Sequence, residues 1–234
     1  MSKEGIQEFF TPEDQYNAML HKGLSVSGET KNYFAHGRVN QLKRIVDEMN
    51  IKPKTILDFG CGLGDTTYIL NEAFAESFVM GVDPSANYIS NARFENRVSS
   101  VDFKTEISLK EASAFDVCYV NGVFHHIKPD KRMEALAAIR RSLKKGAILA
   151  FFENNIMNPG TRIVMHRIPF DRDAQPFTHY HAKKLLRAAG FTVLEVRFLF
   201  IFPNVLSFLR PIERYLDRLP FGAQYCIIAE NNEA

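Results

Sequence analysis

From Thr55 onward, short runs rich in β-branched and aromatic residues alternate with segments of helical period, and that alternation leaves the chain few ways to fold. Seven runs read as strands: KTILDFG, SFVMGVD, VDFKT, FDVCYVN, AILAFFE, TVLEVRFLF and AQYCIIAE. Between them DTTYILNEAFAE, PSANYISNARFEN, KPDKRMEALAAIRRSLKKG and HAKKLLRAAGF read as helices, and ETKNYFAHGRVNQLKRIVDEMN supplies one more ahead of the first strand. In KPDKRMEALAAIRRSLKKG, Met133, Leu136, Ile139 and Leu143 fall on one side, lysines occupy the last turn and Gly146 is the expected stop. Strands joined by helices of this length run mostly parallel, and a parallel sheet needs cover on both faces. The expected fold is therefore α/β, a doubly wound, seven-stranded, mostly parallel sheet with helices on both faces.

At 234 residues the chain can build one well-buried core, and residues 1–234 read as a single domain. The net charge of +2, with bases scattered among acids, gives no basic stripe, so no nucleic-acid partner is expected. Cys61, Cys118 and Cys226 are odd in number, far apart and set in apolar segments. They read as reduced core thiols in a cytoplasmic protein. The opening MSKEGIQEFF lacks the apolar core of a signal peptide, and the apolar run from Phe198 is broken at Pro203 and Asn204. A bilayer span needs about 20 apolar residues, so no transmembrane segment is expected.

The first strand ends in ILDFGCGLGDTT, with glycines at 60, 62 and 64 ahead of a helix. In a doubly wound sheet, ligands sit beyond the carboxyl ends of the strands, and glycine there lets a ligand approach the backbone closely. About twenty residues on, VMGVDPS ends the next strand with Asp83, placed to accept hydrogen bonds from both hydroxyls of a ribose. A dinucleotide fingerprint would carry a third glycine where Asp65 stands. Asp58, two residues before the turn, suits a cationic group better than a pyrophosphate. Taken singly, the turn could be a tight connection, and Asp83 could cap a helix starting at Pro84.

LDFGCGLGD, GVDPS and FDVCYVNGVFHHI together resemble the class I S-adenosylmethionine-dependent methyltransferases, most closely a small-molecule branch with a His-His pair after the fourth strand. The resemblance runs from about Arg38 to Phe191 and implies a Rossmann-like methyltransferase fold, with S-adenosylmethionine as cofactor and S-adenosylhomocysteine as product. It implies that Asp58, Gly60, Cys61 and Gly62 hold the methionine part, that Asp83 holds the ribose, and that Pro84 and Ser85 line the adenine. Glu106 or Ile107 would sit by the adenine amine, and Asn121 and Gly122 would border the methionine side and the methyl group. His126 or His125 would be a base for an oxygen acceptor; the alternative is that the pair lines the pocket.

On the acceptor side, FENNIMNPGTRIVMHRIPFDRDAQPFTHYH has no clear period. Glu153, Asn154, Asn155, Arg162, His166 and Arg167 could read hydroxyls or an anionic group there. The alternative for Arg162 and Arg167 is surface pairing with Asp171 and Asp173. His179 and His181 read as helix initiation after Thr178 rather than a metal site, and no metal is expected. In FPNVLSFLRPIERYLDRLPFG, Val205, Leu206, Leu209, Ile212, Leu216 and Leu219 can share a helical face, while Arg210, Arg214 and Arg218 recur every four residues. Such a segment could rest on a membrane surface or cover a long apolar acceptor, but Glu213 and Asp217 among the arginines favour a salt-paired face over a packed helix. FDRDAQPFT and this insert also resemble, over few residues, methyltransferases of cell-surface glycan or lipid-linked sugar assembly.

The expected arrangement is a helical lid over residues 1–50, a cofactor-binding core over 51–152 and acceptor-side inserts at 153–178 and 203–221. Tyr33, Phe34 and Arg38 would either close over the cofactor or form a helix packing face. The expected activity is O-methylation of a small-molecule, sugar or lipid-linked acceptor. A catalytically silent cofactor-binding module, an NAD-dependent oxidoreductase and an aminopropyl transferase are the competing readings.

Overall fold

Ile56, Leu57, Asp58 and Phe59 are buried on both faces of β1 (Thr55–Phe59), which a strand achieves only inside a sheet covered on both sides. The computed structural model describes residues 27–105, 113–168 and 174–232. Within them lies one seven-stranded sheet in the order β3-β2-β1-β4-β5-β7-β6. Its other strands are β2 (Phe78–Val82), β3 (Val101–Lys104), β4 (Phe115–Asn121), β5 (Leu143–Asn154), β6 (Phe191–Leu199) and β7 (Gln224–Asn231). β1 pairs parallel with β2 and β4, β2 with β3, and β4 with β5, while β7 runs antiparallel to both β5 and β6. The expected doubly wound α/β sheet is therefore present, with a single reversed strand.

The core divides by strand alternation. Ile56 packs with Val79, Val117 and Tyr119 on one face, and Leu57 packs with Phe59, Cys118 and Val120 on the other. The first face is covered by α1 (Lys31–Glu48), α2 (Asp65–Ala73) and α3 (Ala86–Glu95) through Leu42, Ile45, Leu70 and Ile89. The second is covered by α4 (Pro129–Ser142) and α6 (His179–Ala188) through Leu136, Ile139, Ala182 and Leu186. Each such aliphatic side chain contributes roughly 1.5–3 kcal/mol by leaving water.

Four local expectations need correction. α4 ends at Ser142, and Leu143, Lys144, Lys145 and Gly146 already belong to β5. The Lys144 ammonium bonds Asp116 on β4 at 2.8 Å, and Gly146, at φ 76°, turns the chain where the β4–β5 register shifts. Met133 faces outward because the buried Arg132 takes its place, stacking on Phe177 at 4.5 Å and donating to the Ile127 and Gln175 carbonyls. The segment after β5 contains a helix, α5 (Pro159–Arg167), started by the Asn158 side chain, which accepts from the Thr161 N–H. Lastly, the segment after β6 is not a packed amphipathic helix. It is a 3-10 helix, Asn204–Ile212, followed by one α turn, α7 (Glu213–Leu216), and neither buries a residue. Pro211 and the non-helical Leu206 break the period that the sequence suggested.

Candidate active site

The carboxyl ends of β1, β2, β4 and β5 come to one edge of the sheet, as parallel pairing requires. After β1, the Gly60 and Cys61 N–H groups both donate to the Val82 carbonyl at the end of β2, at 2.8 and 3.0 Å, and the Gly64 N–H closes the turn onto the Cys61 carbonyl. Gly60 and Gly62 lie at φ 78° and 57°, but for different reasons. A Cβ on Gly60 would stand 2.3 Å from Val123, whereas one on Gly62 would meet nothing within 4 Å. The first glycine is demanded by packing, and the second faces open space.

Asp83 is tied to this loop. One oxygen accepts from the Gly62 N–H (3.0 Å) and the other from the Ser85 N–H (2.9 Å). Burial pushes its carboxyl up, and these two backbone donors oppose the rise. Asp83 does not cap a helix at Pro84: the cap of α3 is Ser85, whose hydroxyl accepts from the Tyr88 N–H. Asp58 is almost wholly buried, and its carboxylate accepts from the Thr67 hydroxyl at 2.7 Å. Burial lifts its pKa to about 7; the Thr67 bond and the Arg38 charge pull it down, and the Asp83 charge pushes it up.

Across from the glycine loop, the Gly122 N–H donates to the Phe152 carbonyl, holding the end of β4 against β5. His125 is 4 % exposed, and its Nδ1 lies 2.6 Å from Glu153 Oε2 at the end of β5. The other Glu153 oxygen accepts from the Phe124 and His125 N–H groups at 2.9 and 3.3 Å. A carboxylate only accepts, so the imidazole carries its Nδ1 proton toward Glu153, and the neutral ring has its lone pair on Nε2. His125 Cε1 lies 3.5 Å from the position a Cβ on Gly122 would take, so the ring edge stands beside that loop. His126 is exposed, with its ring centroid 4.1 Å from that of His125.

Residues 57–149 match the family model described as a methyltransferase domain. Those residues form an S-adenosylmethionine-dependent methyltransferase domain. It is 25% identical over 167 residues to a carboxy-S-adenosyl-L-methionine synthase of Campylobacter hominis, covering 61% of this chain and 71% of that one. It is 28% identical over 136 residues to a trans-aconitate 2-methyltransferase of Rhodopseudomonas palustris, covering 57% of this chain and 50% of that protein, so it spans half of that relative's length. Its fold is shared with the plantazolicin methyltransferase BamL, solved in complex with a triazolic desmethylPZN analog and SAH. That match has a TM-score of 0.61 at 15% identity and covers 94% of this chain and 97% of that one.

The methyltransferase domain has features that fit the cofactor. Asn121 Oδ1 is buried with no hydrogen-bond partner among the described residues, an arrangement that costs about 1–3 kcal/mol until a donor arrives. The buried Asp58 carboxylate near the end of β1 and the open space over Gly62 in the loop after it lie four residues apart. Glu106 and Ile107 lie outside the described residues, as do Asp171 and Asp173.

Other candidates in the domain are occupied elsewhere. Arg38 is buried and donates to the Tyr119 hydroxyl and the Gln224 side chain, while Tyr33 and Phe34 pack on Phe200. Asn155 is committed to the Pro220 and Gly222 carbonyls, and the Asn154 side-chain oxygen accepts from Gln224. His181 donates its N–H to the Thr178 cap, as helix initiation requires. Two residues were missed in their present roles: Thr67 as the partner of Asp58, and Glu153 as the partner of His125. An acid closing the apolar run AILAFFE, with no local base to pair with, was the one signal available for Glu153.

Proposed function

We propose that this chain transfers a methyl group to a hydroxyl of a small-molecule, sugar or lipid-linked acceptor, with His125 as the base and Glu153 as its positioning residue. The observation that carries this reading is the buried His125–Glu153 pair, 2.6 Å apart, at the Gly122 edge of the site. When bound, S-adenosylmethionine supplies a methyl on a sulfonium that is its own leaving group. Asp58, Gly60, Cys61 and Gly62 would hold the methionine end, with Asn121 Oδ1 accepting from the ammonium. Asp83 would accept from the ribose hydroxyls through lone pairs not used by Gly62 and Ser85. Pro84 and Ser85 would border the adenine. His125 would take the acceptor proton at Nε2, while Glu153 fixes the tautomer and steadies the imidazolium as it forms. His126, exposed beside it, would line the entrance. The segments 153–178 and 203–221 would frame the acceptor side.

A second reading draws on Arg162 and Arg167, exposed on α5 around a shallow depression, and on the trans-aconitate relative. A carboxylate acceptor is already deprotonated and would need no base. The test is transfer of labelled methyl into a cell extract across pH 5 to 8, the range in which an imidazole changes charge, followed by alkaline hydrolysis of the products. Hydroxyl methylation predicts alkali-stable label, a rate that rises with pH and a loss of about a hundredfold in Glu153→Gln. Alkali-labile label formed at a flat rate would favour the carboxylate. Binding of S-adenosylhomocysteine with no label in any fraction would leave a silent module.

A further inference from the structure

The insert between β6 and β7 turns both its acids inward and leaves two of its three arginines outside. Across residues 156–168 and 203–223 the only acids are Glu213 and Asp217, against Arg162, Arg167, Arg210, Arg214 and Arg218. Both acids turn inward. Asp217 is 5 % exposed and accepts from Arg197 (3.1 Å) and Arg44, while Glu213 accepts from the Phe202 N–H at 2.8 Å. Arg210 also turns in, bonding Glu29 at 2.6 Å and stacking on Tyr33 at 4.6 Å. Arg214 and Arg218 stay exposed, with the Arg214 guanidinium over the Tyr215 ring at 4.6 Å. The salt-paired outer face expected from the sequence is therefore missing, and what remains outside is cationic and apolar.

The apolar part is large. Val205 is 81 % exposed, Phe208 73 % and Tyr215 71 %, and Ile212, Leu219 and Phe221 of the same insert are exposed too. It continues onto α5, because the Asn158 side chain donates to the Phe221 carbonyl (2.6 Å) and the Thr161 hydroxyl to the Ala223 carbonyl (2.7 Å). That helix exposes Ile163 between Arg162 and Arg167. Aromatic rings and guanidinium groups side by side, with no outward acid among the described residues of these segments, match the chemistry of a membrane–water interface. Rings settle at the headgroup level there, and arginine binds phosphate bidentately.

We propose that the 204–221 insert and the outer face of α5 form a docking surface for an anionic lipid membrane. The commitment to lipid rests on charge complementarity: Arg162, Arg167, Arg214 and Arg218 are all exposed on these two tied segments with no outward acid beside them, and an anionic leaflet attracts basic residues near it. The proposal does not depend on His125 or on the acceptor, so it fails or stands apart from the catalytic reading.

The test is co-sedimentation of the full chain with vesicles of phosphatidylcholine alone and of phosphatidylcholine with phosphatidylglycerol. Binding is expected to the anionic vesicles only and to be released by salt. The double variant Arg214→Ser, Arg218→Ser should weaken it about 30-fold, and Phe208→Ser should weaken it too, with thermal melting unchanged for both. Phe94→Ser, on α3 and equally exposed, should bind as the parent does. No binding to anionic vesicles, equal binding to both kinds, or an equal loss in Phe94→Ser would overturn the proposal. Self-association abolished by Phe208→Ser in the absence of vesicle binding would also overturn it and assign the face to a second copy.

Discussion

The two halves of the site are built differently. On the proposed cofactor side, Asp58, Gly60, Gly62 and Asp83 lie within a few residues of the ends of β1 and β2, and their bonds run within that edge: Asp83 to Gly62 and Ser85, Asp58 to Thr67. On the proposed acceptor side, His125 is set by Glu153, 28 residues away on β5, and α5 is tied to the stretch before β7. A half built from local backbone can be read along the chain, and a half built by distant partners needs the fold first.

This contrast can be broken in order of effect. Asp83→Ala should weaken S-adenosylhomocysteine binding about 100-fold in calorimetry, since two charge-assisted hydrogen bonds are worth about 1.5–3 kcal/mol each. Asp83→Asn, which keeps one of the two acceptor oxygens that the loop amides now bond, should lose less. If Asp83→Ala binds as the parent does, the ribose assignment is wrong.

Next come the glycines. Gly60→Ala combines a positive φ with a clash against Val123 and should destabilise by about 2–4 kcal/mol. Gly62→Ala, facing open space, should cost about 1 kcal/mol yet weaken cofactor binding. Equal losses of melting temperature in the two variants would show that both glycines serve packing alone.

The last expected effect is a pH slope. Asp58 keeps its proton up to about 7 in the folded protein, whereas its ordinary value is 3.8. Between these values the folded state binds more protons than the unfolded, so this group makes apoprotein stability fall as pH rises from about 4 to 7. Asp58→Asn should flatten that part of the melting-temperature curve, and a cationic group bound beside Asp58 should do the same for the parent. An unchanged slope in the variant would remove Asp58 from the account.

Much of the fold was legible because strand and helix periods differ and each segment's period agrees with its place. The end of α4 was not, because Gly146 looks like a helix stop when read locally, and only the pairing of Leu143 with Phe115 shows the chain already in the sheet. The insert misled for a related reason: its four-residue arginine spacing fits a helix, but Pro211 interrupts that helix, and the inward bonds of Glu213 and Asp217 are made to partners outside it. In the site, the histidine pair was visible, but the choice of His125 over His126 was not. That choice rests on Glu153, which is adjacent only once β4 and β5 are paired.

The most direct measurement sets methyl transfer beside cofactor binding in His125→Asn, where the side-chain amide can still donate to Glu153 but cannot take a proton. We predict S-adenosylhomocysteine affinity within about threefold of the parent and transfer reduced by at least about a hundredfold. Transfer close to the parent rate would contradict the account and leave His125 a structural member of the acceptor wall.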